Sequence, residues 1–281
     1  MRVAVTGAGG FVGQHVLHAL RTADADLVAV LRPASARRIE LDGIEVVYMD
    51  LADCGPDAFA CMGRPDTLIH LAWDGLPHYQ SQHHIDVELP IQQAFLQSCV
   101  SSGLKHLIVT GTCFEYGLQS GELHEELPAN PITSYGAAKD SLRRHLERLQ
   151  EQHGFGLTWL RMFYLYGPGQ AATSLYSQLI TAVATHDTSF AMSPGDQIRD
   201  FMPAEEAGRS IAQLGLRGID GGIVNLCSGH PARIVDTARS WLRAWNASLE
   251  LKTGIFPYPD YEPFAFWGTR AKLDGLLRSA M

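Results

Sequence analysis

Six short runs rich in apolar and β-branched residues recur along the first two thirds of the chain: Val3–Thr6, Leu27–Leu31, Glu45–Met49, Thr67–Ala72, His106–Thr110 and Leu157–Phe163. Between them, Gln14–Ala23, Leu89–Ser102 and Ala137–Gln152 place apolar residues at helical spacing, two of them running up to helix stops at Gly103 and Gly154. Strands that alternate with helices predict parallel βαβ units, and right-handed crossovers stack such units into a doubly wound, Rossmann-type α/β sheet. After Gly167 the texture changes: strands become sparse and Pro, Gly and aromatic residues gather in loops such as SPGDQIRDF and FPYPDYEPFAFWG. This predicts a dinucleotide-binding domain over residues 1–166, rejoined by part of 199–227, and a smaller lobe, mainly substrate-binding, over 167–281.

Composition narrows the function. With 22 Lys and Arg against 30 Asp and Glu the net charge is −8, which repels polyanions and disfavours broad nucleic-acid or anionic-membrane binding. The longest apolar runs, LVAVL and HLIV, are strand-sized, so no membrane span is expected. The start lacks the charged, apolar and small-residue succession of a signal peptide. Five cysteines without a C-x-x-C pair, and histidines without H-E-x-x-H, predict neither a disulfide framework nor a metal site. A reduced, metal-free, cytoplasmic protein is expected, in which the Asn246-Ala247-Ser248 sequon has no role.

The first candidate chemistry is Thr6-Gly7-Ala8-Gly9-Gly10-Phe11-Val12-Gly13, directly after the first strand and opening the first helix. Gly7, Gly10 and Gly13 suit a tight turn, a close approach to a pyrophosphate and helix-on-sheet packing, with Phe11 and Val12 carried between them. The second strand ends in Leu31-Arg32-Pro33, followed by Arg37 and Arg38, with no carboxylate before Glu40. Guanidinium groups pair bidentately with phosphate, so Arg32 and Arg37 point to a 2′-phosphate: NADP(H) is preferred and NAD(H) is possible. The competing reading is a solvated basic loop.

Tyr135 and Lys139 stand four apart at the start of a helix, with Ser134 as the expected N-cap, so both project from one face. An ammonium about 4 Å from a phenol favours the phenolate, which would bring Tyr135 toward useful acid–base chemistry. Thr112, at the end of the fifth strand, offers a hydroxyl to hold a carbonyl or alcohol oxygen against Tyr135.

Taken in order, TGAGGFVG, Asp50-Leu51, HLAW (70–73), TGTCFEYG (110–117), YGAAK (135–139), LYGPGQ (165–170) and IRDF (198–201) resemble extended short-chain dehydrogenases acting on nucleotide sugars. That resemblance implies that Asp50 and Leu51 sit against adenine and that Leu71 and Ala72 line the pyrophosphate and ribose. It further implies that Tyr135 and Lys139 serve the coenzyme as well as the reaction, that Phe163 lies near the nicotinamide, and that Arg199 meets the substrate diphosphate. Trp73, Phe114 and Trp267 are candidates for the sugar pocket, and Tyr164 replaces an Asn that many 4-epimerases use for the diphosphate. By the same resemblance, the helices 89–102 and 137–152 pair in a homodimer.

Dehydratases of this kind carry an Asp-Glu pair directly after the Thr of the fifth strand; here Cys113 and Phe114 stand there, with Glu115 one step away. Epimerase-reductases of the GDP-fucose type need a Cys two residues past the Ser/Thr and a His in the later lobe, whereas Cys113 is one residue past and no His lies between His153 and His186. The expected function is therefore NADP(H)-dependent reduction of a nucleotide-linked 4-keto-6-deoxyhexose, a dTDP- or GDP-sugar. The alternatives are an NAD-dependent nucleotide-sugar 4-epimerase and a non-catalytic dinucleotide-sensing regulator.

Overall fold

Runs such as Val3–Thr6 and Leu27–Leu31 are buried at every position rather than at alternate ones, which requires strands covered on both faces. The computed structural model describes residues 1–33, 41–258 and 260–278. Its first half runs β1 (Arg2–Thr6), α1 (Phe11–Leu20), β2 (Asp26–Leu31), β3 (Glu45–Tyr48), α2 (Ala58–Cys61), β4 (Thr67–His70), α3 (Leu89–Ser101), β5 (His106–Thr112), β6 (Gly121–Leu123), α4 (Ser134–His153) and β7 (Gly156–Met162). The second half continues with β8 (Tyr164–Tyr166), α5 (Leu175–Ala184), β9 (Ser189–Ala191), β10 (Ile198–Pro203), α6 (Ala204–Leu216), β11 (Gly222–Leu226), β12 (Pro231–Arg233), α7 (Ile234–Ala244), β13 (Glu250–Lys252), β14 (Phe266–Gly268) and α8 (Ala271–Arg278).

Seven strands form one sheet in the order β11-β7-β5-β4-β1-β2-β3, every neighbouring pair parallel. The doubly wound Rossmann-type fold is thus present. One face packs Val16, Leu17 and Leu20 of α1 with Ile211 and Leu214 of α6; the other packs Phe95 and Leu96 of α3 with Leu142 and Leu146 of α4. The chain returns to this sheet late, because β11 pairs with β7 and α8 packs on β11 and α6. The remaining lobe holds a small sheet in which β10 runs parallel to β8 and antiparallel to β12. Beside it, α5 and α7 close over Leu179, Trp241 and Leu242.

Two local expectations are corrected. The strand expected to stop at Thr110 continues to Thr112, which fixes Thr112 by ladder hydrogen bonds rather than leaving it in a turn. Thr133, not Ser134, caps α4: its extended backbone lets the side-chain oxygen accept the Gly136 N–H at 3.0 Å, while Ser134 is already helical and donates to the Gln80 carbonyl. Among the described residues, no helix is long and apolar enough to cross a membrane, and no group of three His, Cys, Asp or Glu side chains is placed to hold a metal ion.

Candidate active site

The sheet reverses its winding between β1 and β4, and the crevice beyond their carboxyl ends is where such folds take ligands. Thr6 closes β1, Gly7 turns with φ +66°, and Gly10 caps α1 by backbone alone, its N–H bonded to the Gly7 carbonyl at 2.9 Å. A Cβ at Gly13 would stand 2.2 Å from that same carbonyl oxygen, so only glycine lets the helix start this tightly against the turn. The resulting helix start has no side-chain cap and no acidic residue in its first turn, and it borders a cleft of about 700 Å³. Bare backbone and an uncapped positive helix end fit the pyrophosphate of a dinucleotide.

Arg32, Asp50, Leu51, Leu71 and Ala72 all border this cleft, as do Gly7, Gly10 and Phe11. Arg37 lies outside the described residues. A second space of about 380 Å³ adjoins the first, with Gly7, Phe11, Leu71 and Trp73 common to both. Val12, Gly13 and Phe163 border it, and so do Thr112, Phe114, Tyr135 and Lys139. The sequence motifs therefore converge on one continuous groove. Arg199 and Trp267 do not border it. The Arg199 guanidinium is buried, paired with Glu262 at 2.6 Å, bonded to the carbonyls of Ile198 and Phe264, and stacked over Phe266. Four of its five N–H donors are thus engaged within the protein, away from the groove.

Thr112 is aimed by its surroundings. Its N–H donates to Glu115 Oε1 at 2.9 Å while its hydroxyl oxygen accepts the Phe114 N–H at 3.2 Å, a reciprocal capping arrangement. Glu115 is wholly buried, held by Arg161 at 2.8 Å and by the Trp159 indole N–H. The carboxylate one step from the dehydratase position therefore points into the core, and Cys113 and Phe114 face the groove in its place.

Tyr135 rises from the first turn of α4 and borders the same space as Thr112. Lys139, one turn on, donates to the Thr110 carbonyl at 2.9 Å and sits 3.8 Å from the centroid of the Trp73 ring. Here the expected electrostatics are corrected. Burial, reinforced by the nearby Tyr79 and Glu115, pushes the Tyr135 phenol upward, and Thr112 opposes this. Burial likewise pushes Lys139 down to about 7. The ammonium is bonded to a carbonyl and set over an indole, 5.9 Å from the centroid of the Tyr135 ring, and at that range it does not offset the cost of burying a phenolate.

Of the segment between β4 and α3 the sequence reading names Leu71, Ala72 and Trp73 and misses the rest. It carries Tyr79, whose carbonyl accepts the Tyr135 N–H and whose ring meets Phe114 edge-on at 4.9 Å, and which also contacts Tyr261 from the tail. It also carries His84, which accepts the Trp73 indole N–H at Nδ1 and uses Nε2 on the His78 carbonyl, and is kept neutral by burial. Beneath it, Thr6, His70, Gln92 and Glu88 form a buried chain of hydrogen bonds at 2.8, 2.6 and 2.7 Å. Glu88 Oε1 then accepts the Asp74 N–H. A long connection at the carboxyl edge of a parallel sheet is itself a functional signal, and it was available in the sequence.

Known proteins resemble this chain in sequence and in fold. A dTDP-6-deoxy-L-talose 4-dehydrogenase (NAD(+)) from Aggregatibacter actinomycetemcomitans is 26% identical over 272 residues, 96% of this chain and 100% of that one. A GDP-6-deoxy-D-talose 4-dehydrogenase from the same organism is 25% identical over 237 residues, 82% of this chain and 75% of that one. In fold, the chain is similar to a UDP-N-acetylglucosamine 4-epimerase from Methanobrevibacter ruminantium M1 in complex with UDP-N-acetylmuramic acid. The TM-score is 0.83 at 21% identity, over 98% of this chain and 91% of that one. Residues 3–227, from the first strand through the glycine turn and the Thr-Tyr-Lys groove to the last strand of the main sheet, match a single family, and the chain belongs to it: the NAD dependent epimerase/dehydratase family.

Proposed function

We propose that this protein is a reductase of a nucleotide-linked 4-keto-6-deoxyhexose that prefers NADP(H), working in reverse as a nucleotide-sugar 4-dehydrogenase. The observation that carries this reading is that Thr112 and Tyr135 line one groove from which Glu115 is withdrawn. Elimination needs a carboxyl acid and base at that point, and ketone reduction does not. The two 6-deoxytalose 4-dehydrogenases among its relatives lend the same support.

The chain's own residues suffice for the proton. Thr112 holds the carbonyl oxygen while Tyr135 gives it a proton, and the upward shift of the buried phenol keeps that proton in place at neutral pH, the state reduction requires. When bound, the reduced nicotinamide supplies the hydride. Lys139 orients the ribose side of the groove, and Trp73, Tyr79 and Phe114 exclude water from the oxygen being protonated. The NADP(H) preference rests on Arg32, which borders the coenzyme cleft at the end of β2, where the chain itself supplies no carboxylate before Glu40.

Incubation with NADPH and a dTDP- or GDP-linked 4-keto-6-deoxyhexose is expected to oxidise one coenzyme per sugar reduced. Interconversion of two nucleotide sugars without net coenzyme turnover would instead establish a 4-epimerase. Coenzyme binding without any turnover, unchanged in Tyr135→Phe, would establish a sensor.

A further inference from the structure

We propose that Asp74, in the loop after β4, sets the coenzyme preference by competing with a ribose 2′-phosphate for Arg32. The inference rests on the reading of the larger cleft as a dinucleotide site, and it concerns a residue far in sequence from the end of β2, where preference is ordinarily sought.

Arg32 Nη1 lies 3.4 Å from Asp74 Oδ1, and both residues border that cleft. The other carboxylate oxygen, Oδ2, lies 3.6 Å from His83 Nε2. The Arg32 and Asp74 side chains are 55% and 50% exposed, and a pair so exposed is worth little when both partners are free to wander. Here the backbone that carries one partner is anchored. The Asp74 N–H is bonded to Glu88 Oε1 at 2.9 Å, and Glu88 is buried and tied through Gln92 and His70 to Thr6 at the end of β1. A polar chain that begins beneath the glycine turn thus delivers a carboxylate to the one described guanidinium at the end of β2.

The consequence is a divided preference. Arg32 offers bidentate pairing to a phosphate carrying between one and two negative charges. Asp74 both occupies that guanidinium and repels the incoming charge. A ribose with a free 2′-hydroxyl meets no such competition and can donate to the Asp74 carboxylate. Removing Asp74 therefore favours NADP(H), and removing Arg32 favours NAD(H).

Binding to the intact protein decides the matter without any sugar substrate. Dissociation constants for NADPH and NADH are measured by coenzyme fluorescence, and those for adenosine 2′,5′-bisphosphate and AMP by calorimetry. Asp74→Asn and Asp74→Ala, each with Arg32 intact or as Arg32→Ala, complete a double-mutant cycle. With Arg32 intact, loss of the Asp74 charge is expected to tighten the 2′-phosphorylated ligands by about fivefold relative to their partners. In the Arg32→Ala background the gain falls below about twofold, the scatter of distant, independent changes. An unchanged ratio with Arg32 intact overturns the proposal, as does an equal gain in both backgrounds, which would make Asp74 a simple repulsive charge. Wild-type protein that binds none of the four ligands would instead overturn the dinucleotide reading itself.

Discussion

The two ends of the groove are built by opposite means. At the coenzyme end the wall beside the glycines is backbone, a glycine turn, an uncapped helix start and the tips of β1 and β2, with the Arg32 and Asp74 side chains set at its far rim. At the sugar end the walls are side chains from segments far apart in the chain, with Tyr79, Phe114, Tyr135, Phe163 and Tyr164 lining one space with Thr112. A backbone wall depends on strand register and a few residue types, and its ligand contacts are generic. A side-chain wall can be changed one residue at a time without disturbing the sheet, which is how one fold serves many substrates. Separable construction implies separable failure.

The largest expected effect tests that separation directly. Tyr135→Phe removes the proton donor but leaves every backbone contact of the coenzyme end, so kcat should fall by roughly 10²–10⁴-fold while the coenzyme dissociation constant stays within about twofold. Steady-state kinetics and coenzyme fluorescence measure the two. A comparable loss of coenzyme affinity would break the comparison, because the two ends would then be one unit.

A second effect is centred beneath the coenzyme end. His70 is buried beneath it between Thr6 and Gln92, and burial pushes it down to about 3 from its ordinary 6.5. The Gln92 amide N–H donates to Glu88, so its oxygen accepts from His70 Nε2–H and Nδ1 accepts from Thr6, a neutral ring with both nitrogens satisfied. The folded protein therefore holds fewer protons than the unfolded chain between these values. Its stabilising contribution is complete above about 6.5 and is lost as pH falls toward 3, by roughly 1.4 kcal/mol per pH unit at most. Urea denaturation across that range should show the slope, and His70→Gln should flatten it. An identical slope in the variant would place the acid sensitivity elsewhere.

This difference in construction also explains what was legible in the sequence. Strands buried on both faces announce themselves as unbroken apolar runs, so the sheet and its carboxyl edge could be read before any coordinates. Gly7, Gly10 and Gly13 marked the turn because their spacing is a backbone requirement. Thr112, Tyr135 and Lys139 were found because fixed elements carry them. Tyr79 was not, since a loop without periodicity gives no register from which to place a side chain, and His84 and Glu88 were not, since the short helical turn His84–Glu88 that leads into α3 carries no apolar repeat to announce it. The pairing of Arg199 was not legible for a related reason: its partner Glu262 comes from a tail segment whose path no local pattern encodes. The electrostatics of Tyr135 were misjudged because spacing brings Lys139 to the same helix face but does not say which acceptor its ammonium will take.

Gly13→Ala sharpens the comparison from the backbone side. The added Cβ would meet the Gly7 and Ala8 carbonyl oxygens at 2.2 and 2.7 Å, so the helix start must shift. A loss of about 1–3 kcal/mol in urea denaturation is expected, together with weaker coenzyme binding. Unchanged kcat at saturating coenzyme would confine the damage to that end, whereas a lower kcat would show that the glycine turn also sets the position of Tyr135.

The smallest effect comes from the opposite wall. Phe114 borders the sugar end, meets the Tyr79 ring edge-on at 4.9 Å and lies 6.1 Å from the Tyr261 ring. Phe114→Ala removes one apolar wall and frees the two tyrosines to move, so KM for the nucleotide sugar should rise about tenfold, some 1.4 kcal/mol, with coenzyme affinity held within about twofold. Phe114→Leu keeps more of the volume and should move KM the same way by less. Because the Phe114 N–H also bonds to the Thr112 hydroxyl oxygen through the backbone, neither substitution removes the contact that aims Thr112, and kcat should be nearly preserved. A fall in kcat that exceeds the rise in KM would mean that the ring, and not the backbone, holds Thr112 in place. The side-chain wall would then take part in positioning the reacting oxygen as well as in choosing the sugar.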